Sequence, residues 1–277
     1  MLLDGRIVEI NKPLTMGIVN ITPDSFYEGS RYQADQRLLE KVEQMINDGL
    51  DILDLGAYST RPGADDVPIA KETETLCKAI EIIRTHFGEL IISADTFRSD
   101  VARSAIDAGA NLINDISGGN LDDKMFDTIA ELKVPYVLMH SRGTPKTMKE
   151  LSVYEDVVNT VIFELSEKVN LLRKKGVKDI IIDPGFGFAK NISQNFEMLN
   201  RLNEFEILDC LVLIGISRKS MIWKTLNTTP ENALNGTSVL NTLALYQGAN
   251  ILRVHDVKEA KEAIELISKL SKDENYE

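Results

Sequence analysis

One recurrence constrains this chain more than anything else in it. Eight short, continuously apolar runs return along its 277 residues: Thr15–Asn20, Asp51–Leu55, Leu90–Asp95, Leu112–Asn114, Tyr136–His140, Ile180–Asp183, Leu211–Ser217 and Ile251–His255. Their spacing averages roughly 35 residues, the length of one βα unit. Runs that are apolar at every position suit parallel strands covered on both faces, not half-exposed antiparallel ones. Between them, apolar residues recur at helical spacing. Leu38, Leu39, Val42, Met45 and Ile46 form one stripe, ended by Gly49. Ser99 is placed to cap a helix carrying Val101, Ala102, Ala105 and Ile106, and Asp256 one carrying Val257, Ala260, Ile264 and Ile267. The longest helix is expected over Tyr154–Lys175, with Gly176 as its stop.

Eight such repeats in series either close into a barrel or lie as an open doubly wound sheet. The count of eight favours an α/β fold of the (β/α)8 TIM barrel type, as does the absence of a G-x-G-x-x-G turn opening the first helix. No Pro/Ser-rich linker divides the chain, so one domain is expected over residues 1–277. A small N-terminal β-hairpin around Asp4-Gly5 is expected at the barrel floor, and a frayed polar tail over residues 271–277.

Composition narrows the partners. With 31 basic and 43 acidic residues the net charge is −12, which argues against a general nucleic-acid binder. No apolar run approaches the ~20 residues that span a bilayer, and Asp4 breaks the N-terminal apolar stretch before it reads as a secretory signal. Cys77 and Cys210 lie outside any C-x-x-C pair. A cytoplasmic protein with neither nucleic acid nor membrane as partner is expected.

The polar residues fall where a barrel places chemistry. The runs end in Asn20, Asp54, Asp95, Asn114 with Asp115, His140, Asp183, Ser217, and Arg253 with His255. In a barrel these C-terminal strand ends converge on one mouth. Any one of them can be a helix cap or a loop-facing group, but caps do not explain so many strand ends at once. Carboxylates (Asp54, Asp95, Asp115, Asp183) come from strands two, three, four and six, and cations (Arg218, Lys219, Arg253, His255) follow strands seven and eight. Arg253 and His255 share a side by the strand period of two. Two long connections, Ile21–Arg31 and Ala57–Pro68, leave early strands on the same face, where lids belong. The pattern suits an enzyme acting on a small anionic substrate, such as a phosphate ester. Its carboxylates either bind an amidine-like edge or act as acid and base.

The strand-end segments resemble the dihydropteroate synthase family of folate synthesis. They are Asn20-Ile-Thr-Pro-Asp-Ser-Phe26, Ser59-Thr-Arg-Pro-Gly63, Asp95-Thr96, Asn114-Asp115-Ile116, Met139-His140, Asp183-Pro-Gly-Phe-Gly-Phe188, Ser217-Arg-Lys-Ser220 and Arg253-Val-His-Asp256. The resemblance implies a (β/α)8 barrel that condenses 6-hydroxymethyl-7,8-dihydropterin diphosphate with 4-aminobenzoate, giving 7,8-dihydropteroate and pyrophosphate. It implies that Asp95, Asn114 and Asp183 hold the pterin edge, that Lys219 reaches the pterin ring, and that Arg253 and His255 take the diphosphate. By the same resemblance Asn20 ligates Mg2+, with Asn20, Asp95, Lys219, Arg253 and His255 as the catalytic set. Thr60 contacts the pterin diphosphate, while Arg61, Pro62, Phe188 and Ser220 border the aminobenzoate. Family members commonly form homodimers and are sulfonamide targets. Two departures stand out: Gly56-Ala57-Tyr58 replaces the family's Gly-Gly-Glu, and Met139-His140-Ser141 its Met-His-Met. The barrel of methyltetrahydrofolate-dependent methyltransferases has a comparable Asp/Asn set but no diphosphate apparatus. A catalytically silent pterin-binding protein is the other rival reading.

Overall fold

A computed structural model describes residues 1–3, 6–7, 9–21, 31–58, 67–143 and 147–270. Eight parallel strands close into a barrel: β1 (Leu14–Asn20), β2 (Ile52–Gly56), β3 (Ile91–Asp95), β4 (Leu112–Asp115), β5 (Tyr136–Met139), β6 (Ile180–Asp183), β7 (Leu211–Ile214) and β8 (Ile251–Val254). Each strand pairs with its sequence neighbours, and β8 closes on β1 with Arg253 beside Met16. The outer ring is α1 (Arg31–Asn47), α2 (Ile69–His86), α3 (Ser99–Asp107), α4 (Met125–Leu132), α5 (Val157–Lys174), α6 (Ile192–Asn200), α7 (Leu234–Tyr246) and α8 (Val257–Ser268). A single helical turn, Ser220–Trp223, precedes α7.

The strand period of two separates two cores. Outward residues such as Leu53, Leu55, Ile92, Ile113, Leu138, Ile182 and Leu252 pack against the helices. Inward residues Met16, Ile52, Leu112, Val137, Ile181, Leu213 and Ile251 fill the lower barrel as a separate cluster. Met1 packs against this interior cluster. Leu2–Leu3 pairs antiparallel with Arg6–Ile7, as the expected hairpin requires, while its Asp4-Gly5 turn and the 271–277 tail lie outside the described residues. One inward step above the apolar layer, the side chains turn polar.

Two caps differ from expectation. The Ser99 amide is not an N-cap; it donates to Asp122 Oδ2 (2.7 Å) from the next loop, and Arg98 occupies the cap position. Asp256 stands at the start of α8 without capping it, because Arg218 takes its carboxylate. Among the described residues no helix is long and apolar enough to cross a membrane.

Candidate active site

The polar layer is assembled by inward positions of six strands. On β8, Arg253 donates from Nε to Asp54 Oδ2 (2.7 Å) on β2 and from Nη2 to Asp95 Oδ2 (2.7 Å) on β3. On β4, Asn114 Nδ2 also donates to Asp54 Oδ2 (3.2 Å). A single Asp54 oxygen therefore orients both a cation and an amide, while its Oδ1 is buried without a partner among the described residues. Burial works against the charge on Arg253, but Asp54 and Asp95 more than offset it and hold its pKa above the ordinary value. The Asp95 pKa also rises, which for a carboxyl disfavours the charged form. Burial raises its pKa, Arg253 opposes the rise, and the nearby Asp54 reinforces it.

Asp183 ends β6, and its Oδ1 accepts from the Gly185 amide (2.7 Å). Burial raises its pKa against the pull of Lys219. Gly215, after β7, leaves the space these groups share. A Cβ there would lie 3.8 Å from Lys219 Nζ, 3.9 Å from Asp183 Oδ2 and 4.0 Å from Arg253 Cβ. Lys219 Nζ donates to Phe186 O (2.5 Å) and sits 4.9 Å from the centroid of the Phe188 ring. Burial pushes this amine down to about 8, opposed by Asp183 and reinforced by Arg253. Ser220 follows directly and opens the helical turn.

Asn20 ends β1 at an exposed position beside this cluster. A Cβ on Gly56 would lie 3.5 Å from Asn20 Oδ1 and 3.6 Å from Asp95 Oδ2, so the two oxygens flank one glycine. His255 continues the inward face of β8, with Nδ1 3.0 Å from Ser217 Oγ. Partial burial at the rim, with Arg253 and Arg218 nearby, holds its imidazole below the ordinary range. Of the expected site residues, Asn20, Asp95, Asn114, Asp183, Phe188, Lys219, Ser220, Arg253 and His255 thus lie around one mouth. Thr60, Arg61 and Pro62 lie outside the described residues.

Two expected charges belong elsewhere. Asp115 is one position past inward-facing Asn114, so it faces the helices. It accepts from Tyr136 Oη (2.7 Å) and from the amides of Ser117 (2.7 Å) and Gly119 (2.8 Å), which shapes the β4–α4 loop. Arg218 adopts left-handed backbone (φ +54°) and forms a fork on Asp256 (2.7 and 2.8 Å), which occupies its guanidinium.

The Tyr58 departure has a structural counterpart. Its ring packs edge-on against Phe97 (5.1 Å), and Arg98 Cζ lies 5.2 Å from both ring centroids. Arg98 also donates to Val67 O (2.6 Å) and to buried Glu72 (2.7 Å), so it holds both ends of the 59–66 connection. Arg98 and Glu72 were not legible as site-shaping groups, because they lie 26 residues apart and no motif links them.

Known proteins share this architecture and sequence. The family model described as "Pterin binding enzyme" matches residues 16–255. The Escherichia coli K12 dihydropteroate synthase is 39% identical over 274 residues, covering 98% of this chain and 96% of its own. The Schizosaccharomyces pombe folic acid synthesis protein fol1 is 44% identical over 263 residues; the match covers 92% of this chain and 36% of that longer protein. The Xanthomonas albilineans dihydropteroate synthase solved with 4-aminobenzoic acid superposes with a TM-score of 0.89 at 35% identity, covering 98% of each chain. The same enzyme in complex with 7,8-dihydropteroate gives 0.86 at 33% identity, covering 98% of this chain and 99% of that one. With the fold, the family model and the near-full-length relatives in agreement, the chain belongs to the dihydropteroate synthase family of pterin-binding enzymes, transferases of folate synthesis.

Proposed function

We propose that this chain condenses (7,8-dihydropterin-6-yl)methyl diphosphate with 4-aminobenzoate, releasing 7,8-dihydropteroate and pyrophosphate. The observation that carries this reading is the split mouth. Asp95, Asn114 and Asp183 stand at the ends of β3, β4 and β6; Asp95 pairs with Arg253 (2.7 Å), and Asp183 Oδ2 borders the Gly215 gap together with Lys219 Nζ and Arg253 Cβ. A carboxylate accepts paired hydrogen bonds from the ring N–H and exocyclic amine of an aminopyrimidinone, and that role is assigned to Asp183. Arg253 spends Nε and Nη2 on carboxylates, which leaves Nη1 for a diphosphate oxygen. His255 at the rim extends the anion end. Thr60 is assigned to the diphosphate, and Arg61, Pro62, Phe188 and Ser220 to the aminobenzoate, whose ring would pack on Phe188.

Mg2+ fits the donor chemistry. Asn20 offers an amide oxygen beside the Asp95 carboxylate, and hard cations take oxygen ligands. Among the described residues no group of three or more His, Cys, Asp or Glu side chains is arranged to hold a metal, so phosphate and water would complete the shell. Bound there, the cation would neutralise charge on the departing diphosphate. The chain's own residues do the rest. Arg253 and His255 stabilise the leaving pyrophosphate, while the carboxylate end, Asp95 with Asp183, favours the cationic pterin left when the C–O bond breaks. The aniline nitrogen is neutral at pH 7; it forms the C–N bond and loses its proton without a dedicated base. Excluding water keeps the cation from capture as the alcohol.

The test is pyrophosphate release with and without 4-aminobenzoate, and with EDTA. Release should require 4-aminobenzoate and stop with EDTA; release independent of 4-aminobenzoate would sink the synthase reading.

We also propose a homodimer in the cytoplasm. Helix α7 carries no charged residue in a chain that is 27% charged. It exposes Val239, Leu243 and Tyr246, and Leu266 and Leu270 lie exposed on and just after the adjacent α8. Charge depletion around an aromatic anchor is the signature of a buried interface core. Light scattering should give a dimer mass that Tyr246→Glu converts to the monomer; a monomeric wild type refutes it. The two thiols, Cys77 and Cys210, are free, as a reducing compartment favours.

A further inference from the structure

The β6–α6 loop is built around a buried amine that the reaction above does not use. Gly185, Gly187 and Ala189 all take left-handed backbone (φ +73°, +81° and +49°). Lys190, only 8% exposed, gathers the carbonyls this arrangement turns inwards. Its Nζ donates to Gly185 O and Phe188 O, both at 3.0 Å, and lies 2.9 Å from His140 Nδ1. An ammonium has three N–H donors and no acceptor, so these three partners match its charged form one for one. His140 Nδ1 is then the lone-pair nitrogen, and its Nε2 proton is donated to Glu164 Oε2 (2.9 Å). Arg142 holds Glu164 in turn. On its other side the same loop meets the site: Phe186 O accepts from Lys219 Nζ, and the Phe188 ring lies below that ammonium.

We propose that Lys190 is a positioning residue: through Gly185 O and Phe188 O it fixes the loop that sets the Phe188 ring and anchors Lys219, and the His140–Glu164–Arg142 chain keeps it in place. The inference rests on Phe188 as the wall of the aminobenzoate site. Burial is the main influence against the Lys190 charge, Asp183 and Glu164 favour it, and Lys219 and Arg142 oppose it. The balance places the amine at about 7, so it loses its charge just above neutrality. A neutral amine has two donors for three acceptors, which releases one carbonyl of the loop.

Lys190→Met keeps the apolar stem and removes the ammonium. With pterin diphosphate saturating, its KM for 4-aminobenzoate should rise roughly tenfold or more, while its calorimetric Kd for pterin stays within about threefold of wild type, because Asp95, Asn114 and Asp183 stand on strands. Raising the pH from about 6 to about 9 should lift the wild-type KM through a step near neutrality that the variant lacks, while the higher Lys219 step is shared by both. Glu164→Gln, at the network's solvent side, should move the near-neutral step down by about half a pH unit or more, since a favourable negative charge is lost. This arm decides the matter if Lys190→Met does not fold. An unchanged aminobenzoate KM in Lys190→Met overturns the proposal, and so does a near-neutral step that survives in it or that Glu164→Gln leaves unmoved. Failure of the catalytic assignment looks different: wild type itself would show no aminobenzoate-dependent turnover. Hydrogen exchange at the Gly187 and Phe188 amides reads the device without turnover; it should quicken roughly tenfold in Lys190→Met, and unchanged exchange refutes it.

Discussion

Asp54 shows how much a single strand-end residue decides. It is fully buried, and one of its oxygens accepts from both Arg253 and Asn114. Its position was legible from the period of two; that it serves by orienting other groups was not, because this depends on Arg253, 199 residues away. Asp115 shows the opposite error. It ends the same run as Asn114 and carries the expected charge, yet a shift of one residue along a strand reverses its face. Three substitutions separate the roles. Asp183→Ala should abolish measurable binding of both pterin and pterin diphosphate. Arg253→Ala should keep pterin affinity and lose the diphosphate's added affinity, by about 1.5–3 kcal/mol for a charge-assisted contact. Asp54→Asn should act as a weaker Arg253→Ala. Calorimetry with the two ligands distinguishes them, and an Arg253→Ala enzyme that binds the diphosphate as tightly as wild type contradicts the assignment.

At the scale of elements, strands read more truly than their ends. All eight runs became strands because continuous apolarity and β-branching leave few alternatives between two covered faces. The last residues of several runs, His140, Ser217 and His255 among them, step out of the ladder. There the chain turns towards helices: His140 N still donates to Asp183 O (2.8 Å), but at His255 N the Ser217 hydroxyl (3.3 Å) replaces strand pairing. Helix caps were read from one residue each and failed at Ser99 and Asp256, since neighbouring loops supplied better partners. The close packing of helices on the barrel gives a test. Gly17 on β1 leaves no room for a methyl: a Cβ there would lie 2.4 Å from Met45 Cε, 2.6 Å from Leu50 Cδ1 and 3.0 Å from Val257 Cγ2. These atoms belong to α1, the α1–β2 loop and α8. Gly17→Ala should therefore cost about 1–3 kcal/mol by overpacking, seen as a lower denaturant midpoint with little change in slope. An unchanged midpoint would mean that these elements pack less tightly on β1 than the distances state.

Across the whole molecule, the buried network behind β5 ties stability to pH. His140 is 3% exposed and its imidazole is pushed down to about 4, mainly by burial, with Lys190 adding to the effect. Between about 6.5 and about 4 the unfolded chain takes up a proton that the folded one refuses, so stability is present above that window and lost as pH falls through it. For this residue alone the loss approaches about 3 kcal/mol at pH 4. Glu164, pushed down to about 2 chiefly by its hydrogen bond with His140, adds a loss in the same direction below the ordinary carboxylate range. Asp115 and Asp183 work against both. Burial raises their pKa values, so on the way down from neutrality the folded state gains protons before the unfolded one. The raw acid limb therefore mixes opposite signs, and the informative quantity is the difference between wild type and His140→Gln. Unfolding free energies from urea titrations at about pH 7 and about pH 4.5 should fall more steeply for wild type than for the variant, by about 2 kcal/mol over that interval. The aspartates contribute equally to both proteins, so parallel acid limbs would show that the imidazole takes up its proton in the folded barrel, with Glu164 close enough to stabilise it.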